Sequence, residues 1–194
     1  MDKKQSPTYW WTDQDKEIIS PPLDYSFMKA VSFDDLTNKN LQTTRTGRIP
    51  KRTAENRYQT NSLWLSHNSI ISTAKLTNFV NNTLDNPSML SWLDLSFNEI
   101  TEIGEEFVQF SNLKIIYLHG NKMSNINNIL KLRKLTKLRT LTLHGNPIEL
   151  LSNYRSYIVI LLPKLLNLDF SPIIMQERKK ALPTEFFKTI NTSN

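Results

Sequence analysis

Three histidines, at 67, 119 and 144, and eighteen acidic residues are the side chains from which acid–base or metal chemistry would have to be built. His119 and His144 occupy equivalent places in two similar segments, IYLHGN and LTLHGN. On neighbouring strands they would lie roughly 5 Å apart, the spacing at which two imidazoles begin a metal site. The chain has no cysteine, and no third histidine falls in the same frame, because His67 is displaced by one residue. The HGN sequence therefore reads as turn chemistry, with Gly120 and Gly145 easing the bend, and no metal or cofactor is expected. Asp94 and Asp169 fall in one lane of a sheet but three strands apart. That is farther than the roughly 5–10 Å over which carboxylate pairs cooperate. Neither a nucleophile elbow nor a glycine-rich phosphate loop is present, and only four glycines occur. The chain reads as no enzyme and as binding no small-molecule substrate.

What positions these residues is a repeat. The frame L-x-L-x-x-N occurs as LWLSHN at 63–68, LDLSFN at 93–98, IYLHGN at 116–121 and LTLHGN at 141–146. Its asparagines, Asn68, Asn98, Asn121 and Asn146, are spaced 30, 23 and 25 residues apart. A fifth strand without the asparagine, LLNLDF, follows at 165–170. Each L-x-L predicts a short parallel strand with its leucines turned inward and the intervening residues outward. The asparagine falls where the chain leaves the strand, and its amide suits the freed backbone groups, so stacked repeats predict an asparagine ladder. Between strands the apolar spacing lengthens to that of helical or 3-10 returns. No repeat buries its leucines alone, so the stack is the folding unit.

This pattern resembles the leucine-rich repeat superfamily, in its short-repeat intracellular subclass, over residues 61–170. The resemblance implies an α/β solenoid with a parallel sheet on its concave face, helical or 3-10 convex returns and a C-terminal cap. YRSYIVILLPKLLNLDF (154–170) carries the cap, with Pro163 ending its helix. Three parts are expected: an extended arm over 1–61, the capped solenoid over 62–171 and a tail over 172–194.

Alternation turns Trp64, Trp92, Asp94, Ile115, Tyr117, His119, Thr142 and His144 outward on the concave face. Large aromatics there have no core role and are the stuff of interface hot spots. They receive either a protein partner or the chain's own arm, which carries apolar anchors TYWW, PPLDYSF and FDDL. Two basic clusters complete the inventory: Arg45, Arg48, Lys51 and Arg52 in the arm, and Lys131, Lys134 and Lys137 within KLRKLTKLR. They read either as solvated surface or as docking on an acidic surface such as tubulin. Nucleic acid is disfavoured, because no aromatic–basic stacking platform is visible.

The 194 residues carry a net charge of +6 and neither a signal peptide's apolar region nor a membrane-length apolar run. A cytoplasmic location and no membrane partner are therefore expected. The resemblance, with basic charge and adhesive ends, implies a scaffold or adaptor among other proteins of a large cytoskeletal assembly. The ciliary axoneme, near radial spokes or doublet microtubules, is its first candidate. The alternatives are a ribonucleoprotein adaptor bracing an RNA-binding protein and a regulatory subunit of a phosphatase.

Overall fold

The computed structural model describes residues 20–37, 39, 41 and 47–179. Seven strands form one sheet in chain order: β1 (Leu23–Asp24), β2 (Ser62–Trp64), β3 (Trp92–Asp94), β4 (Ile115–Tyr117), β5 (Thr140–Thr142), β6 (Asn167–Leu168) and β7 (Ser171–Pro172). β1 through β6 are parallel, and β7 pairs antiparallel with β6. The leucine or isoleucine that opens each L-x-L is in register with the next, running Leu63, Leu93, Ile116 and Leu141, and on to Leu168 of the fifth strand. All five are fully buried. Strictly successive parallel strands, each separated by one return, define a solenoid.

The returns are α1 (Leu76–Thr83) and 3-10 segments at Glu105–Gln109, Ile126–Lys134 and Pro147–Leu150, followed by α2 (Tyr154–Leu161). They bury Leu76, Phe79 and Val80, then Phe107, then Ile126, Ile129 and Leu132 against the backs of the strands. Apolar residues at mixed three- and four-residue spacing give the 3-10 and α turns alike. The 30-residue repeat between Asn68 and Asn98 has room for a full α-helix, whereas the shorter ones hold 3-10 turns.

Within 1–61, read from sequence as an extended arm, Leu23–Asp24 extends the sheet: Leu23 pairs with Leu63 and Asp24 with Trp64. Leu23, Tyr25, Ala30, Phe33, Leu36 and Leu41 join the common core. The described residues of this stretch therefore close the N-terminal end of the stack rather than crossing the concave face. The expected TYWW anchor, Arg45 and residues 180–194 of the tail lie outside the described residues.

At the other end the chain reverses over Asp169 and Phe170, with φ of 52° and 61°. Two consecutive left-handed residues make the tight turn that joins antiparallel strands with the right twist. The parallel stack ends there. α2 covers the last repeat with Tyr154, Ile158, Val159 and Leu161. Arg155 ties α2 to α3 (Met175–Arg178) through Glu177, Nε to Oε1 at 2.5 Å.

Candidate protein-binding face

The asparagines hold the strands' exits in place. The Asn98 amide donates to the carbonyls of Leu65 (3.0 Å) and Leu95 (3.1 Å), and its Oδ1 accepts the Ile70 N–H at 3.0 Å. Asn121 repeats this with Leu95, Leu118 and Ile100, and Asn146 with Leu118, Leu143 and Met123. Asn68 begins the series on Tyr25, Leu65 and Ala30. Each side chain thus joins successive repeats. Asp169 ends the series. Its Oδ1 accepts the N–H groups of Leu143 (2.6 Å) and His144 (3.0 Å), which lie past the last paired residues of β5 and β6. Its Oδ2 accepts the Tyr154 hydroxyl at 2.9 Å. Burial and this carboxylate push the Tyr154 phenol well above its ordinary range.

Just before each asparagine the backbone turns left-handed, at His67, Phe97, Gly120 and Gly145. Sequence reasoning expected glycine in this role and missed the two ring residues. The Phe97 ring fills the space over Gly120, where a Cβ would fall 2.7 Å from its Cδ1. Phe27, His67 and Phe97 stack successively at 4.3 and 4.4 Å, and Phe97 meets His119 edge-on at 5.0 Å. A line of rings therefore follows the rim of the sheet.

His119 and His144 are 4.7 Å apart, but their planes are 7° from parallel. Face-to-face imidazoles aim their lone pairs side by side rather than at one point, which is stacking geometry and not chelation. Nδ1 of His119 lies 2.7 Å from Thr142 Oγ1, and Nδ1 of His144 lies 3.3 Å from Asp169 Oδ1. Burial, and then the neighbouring His144, holds His119 below the ordinary imidazole range. Among the described residues no group of three or more His, Asp or Glu side chains is placed to hold a metal.

The floor of the concave face is aromatic. Trp64 and Trp92 meet edge-to-face at 5.1 Å, Trp92 and Tyr117 at 5.7 Å, and Tyr117 and Phe170 at 5.4 Å. The left-handed turn throws Phe170, 60% exposed, back across the sheet onto Tyr117, His119 and His144. Ile115 is half-buried beside them. Trp92 Nε1 is buried and meets no acceptor among the described residues. Thr142 requires a correction as a partner-contacting residue. It has no exposed surface, and its hydroxyl is taken by His119 and by the Leu118 N–H.

The basic residues do not gather at this face. Lys131 donates to the Ile103 carbonyl at 2.8 Å, Lys134 pairs with Glu105 at 3.2 Å and Lys137 donates to Asn112. All three reach back to the preceding repeat. Arg52 lies over the Tyr58 ring, 4.3 Å from its centroid. Arg48 and Lys51 are exposed around a cleft of 690 Å³ shared with Pro21, Thr60 and Asp85. Among the described residues no helix is long and apolar enough to cross a membrane.

A stack of one-strand repeats, pinned by an asparagine ladder, capped at both ends and, among the described residues, open along an aromatic concave face is the architecture of a repeat-protein binding module. The chain belongs to the leucine-rich repeat family, whose pattern matches residues 40–194. It is 40% identical over 175 residues to leucine-rich repeat-containing protein 51 of Bos taurus, covering 90% of this chain and 88% of that protein. Identity to the Homo sapiens protein of that name is 38% over the same coverage. Over 126 residues it is 36% identical to the U2 small nuclear ribonucleoprotein A′ of Candida albicans, covering 64% of this chain and 50% of that one. Among solved structures, a chain of the Drosophila melanogaster SNF/U2A′ complex superposes with a TM-score of 0.59 at 22% identity, covering 83% of this chain and 97% of that one. That likeness concerns the fold.

Proposed function

We propose that the chain is a non-enzymatic adaptor that holds a protein partner against its concave face within a large cytoskeletal assembly, with the ciliary axoneme as first candidate. The observation that carries the adaptor role is the contiguous floor of Trp64, Trp92, Tyr117 and Phe170. Four aromatic groups in mutual contact on an outward face are what a desolvated interface core is made of. The similarity to leucine-rich repeat-containing protein 51 supports placing the chain with that group of proteins. The assembly itself is reached by analogy, since fold alone assigns no function.

A second reading has one observation behind it. Similarity to the U2 small nuclear ribonucleoprotein A′ of Candida albicans favours an adaptor that braces an RNA-binding protein. Fractionation separates the two: the cytoskeletal reading expects the chain in the axonemal pellet with tubulin, the other in a nuclear fraction with RNA. For either, replacing Trp64 and Trp92 by alanine should weaken partner association by several kcal/mol, since hot-spot aromatics contribute about 2 kcal/mol or more each. Circular dichroism checks that the solenoid persists. Unchanged affinity in the double variant would remove the concave site.

A further inference from the structure

The concave face has a charge pattern opposite to that of the whole chain. The chain is basic, with 24 lysines and arginines against 18 acidic residues. Yet the outward positions of β1 through β6 carry the carboxylates Asp24 and Asp94 and no lysine or arginine. The nearest basic residues in sequence, Lys114 and Arg139, precede β4 and β5, and the Arg139 guanidinium is folded onto the carbonyls of Thr136 and Leu138.

Asp94 carries the argument. It is 8% exposed, and its Oδ1 accepts the Ser96 N–H at 2.9 Å and the Ser96 hydroxyl at 2.6 Å. Among the described residues it takes part in no ion pair. Its register neighbours are Trp64 on β2 and Tyr117 on β4, and Trp92 shares its strand and its face. A carboxylate so far out of water gains from a counter-charge, and the aromatic residues Trp64 and Tyr117 that flank it in register are of the kind that also attract a cation.

We propose that the partner segment taken by this face is cationic, with an arginine or lysine seated at Asp94 between Trp64 and Tyr117. This rests on the concave-face reading above and adds the chemistry of its occupant. Asp94 Oδ2 accepts the charge-assisted hydrogen bond, since Oδ1 is engaged with Ser96. An acidic or neutral segment would bury Asp94 further without compensation, and that desolvation cost, with repulsion added for an acidic one, is what makes the site selective.

Three labelled alanine-based helical peptides of one length test this on the full chain: one with arginine at every seventh position, its glutamine twin and its glutamate twin. Bulk charge favours the glutamate twin, so a preference for arginine must come from a local site. The arginine peptide should bind at least about tenfold tighter than the glutamine twin in about 50 mM salt, with the advantage shrinking in about 200 mM. Asp94→Asn keeps an oxygen for Ser96 and should bring the two within about twofold. Equal or tighter binding of the glutamine or glutamate twin to the unmodified chain overturns the proposal, and that comparison needs no variant to fold. If all three peptides bind alike and all are lost with Trp64→Ala plus Trp92→Ala, the concave adaptor stands and its cationic occupant falls. If arginine selectivity survives Asp94→Asn, the cation site is elsewhere and the proposed occupant falls, whatever becomes of the concave adaptor.

Discussion

At each turn one asparagine amide satisfies backbone groups from successive repeats, so its loss is felt across the stack. Asn121 donates to two carbonyls and accepts one N–H, all of them buried. Asn121→Ala should cost on the order of 1–3 kcal/mol, the penalty for stranding buried backbone groups. Asn125, four residues on, is exposed and caps the 3-10 segment by accepting the Asn127 N–H at 2.9 Å. Asn125→Ala should cost no more than about 1 kcal/mol, as for an ordinary cap. Urea melts of the two variants check the ranking, and coincident curves would contradict the ladder's role. The asparagines were legible because residue type recurs in a fixed frame. The left-handed rings of His67 and Phe97 were not, because that backbone position is usually marked by glycine and their packing partners lie one repeat away.

On the scale of elements, strands β2 to β5 were readable from L-x-L alternation and α2 from its apolar face. β1 was not. Leu23-Asp24-Tyr25 has the alternation, but Met28 stands where the frame's asparagine belongs. Residues 29–61 then intervene before β2, so no repeat spacing marks the strand, although Leu23 and Leu63 end up in register. The C-terminal hairpin carries the prediction at this scale. Phe170 holds a left-handed backbone, φ 61°. That conformation strains a residue with a Cβ by about 1–2 kcal/mol. Its ring is 60% exposed and rests on Tyr117, His119 and His144, so little burial offsets that strain within the chain. Phe170→Gly relaxes the turn and removes the ring. Stability should hold or rise by up to about 1 kcal/mol, while partner association weakens. Thermal melting read beside a binding titration separates the two effects. A variant that loses stability and binds normally would make Phe170 a packing residue.

Across the whole molecule, charge is sorted by face, and composition alone concealed this because a net charge of +6 averages over surfaces. The sequence singled out two basic clusters as equals, and their surroundings differ. Lys131, Lys134 and Lys137 each reach the preceding repeat, at Ile103, Glu105 and Asn112, and so brace the convex returns. Arg48 and Lys51 stand exposed at the N-terminal end of the stack, around the cleft that includes Pro21 and Asp85. Replacing the three convex lysines by glutamine should lower stability by about 1 kcal/mol or less in total, since exposed ion pairs contribute little each, and should leave association with an acidic surface nearly unchanged. Replacing Arg48 and Lys51 by glutamine should do the reverse: stability within about 0.5 kcal/mol of the unmodified chain, weaker association and a flatter dependence on salt. The measurement is co-sedimentation with microtubules, as one acidic surface, between about 50 and 200 mM salt, where screening shortens from roughly 14 to 7 Å. Equal binding by all three proteins at every salt concentration would make Arg48 and Lys51 solvated surface and leave the aromatic concave face as the attachment supported among the described residues.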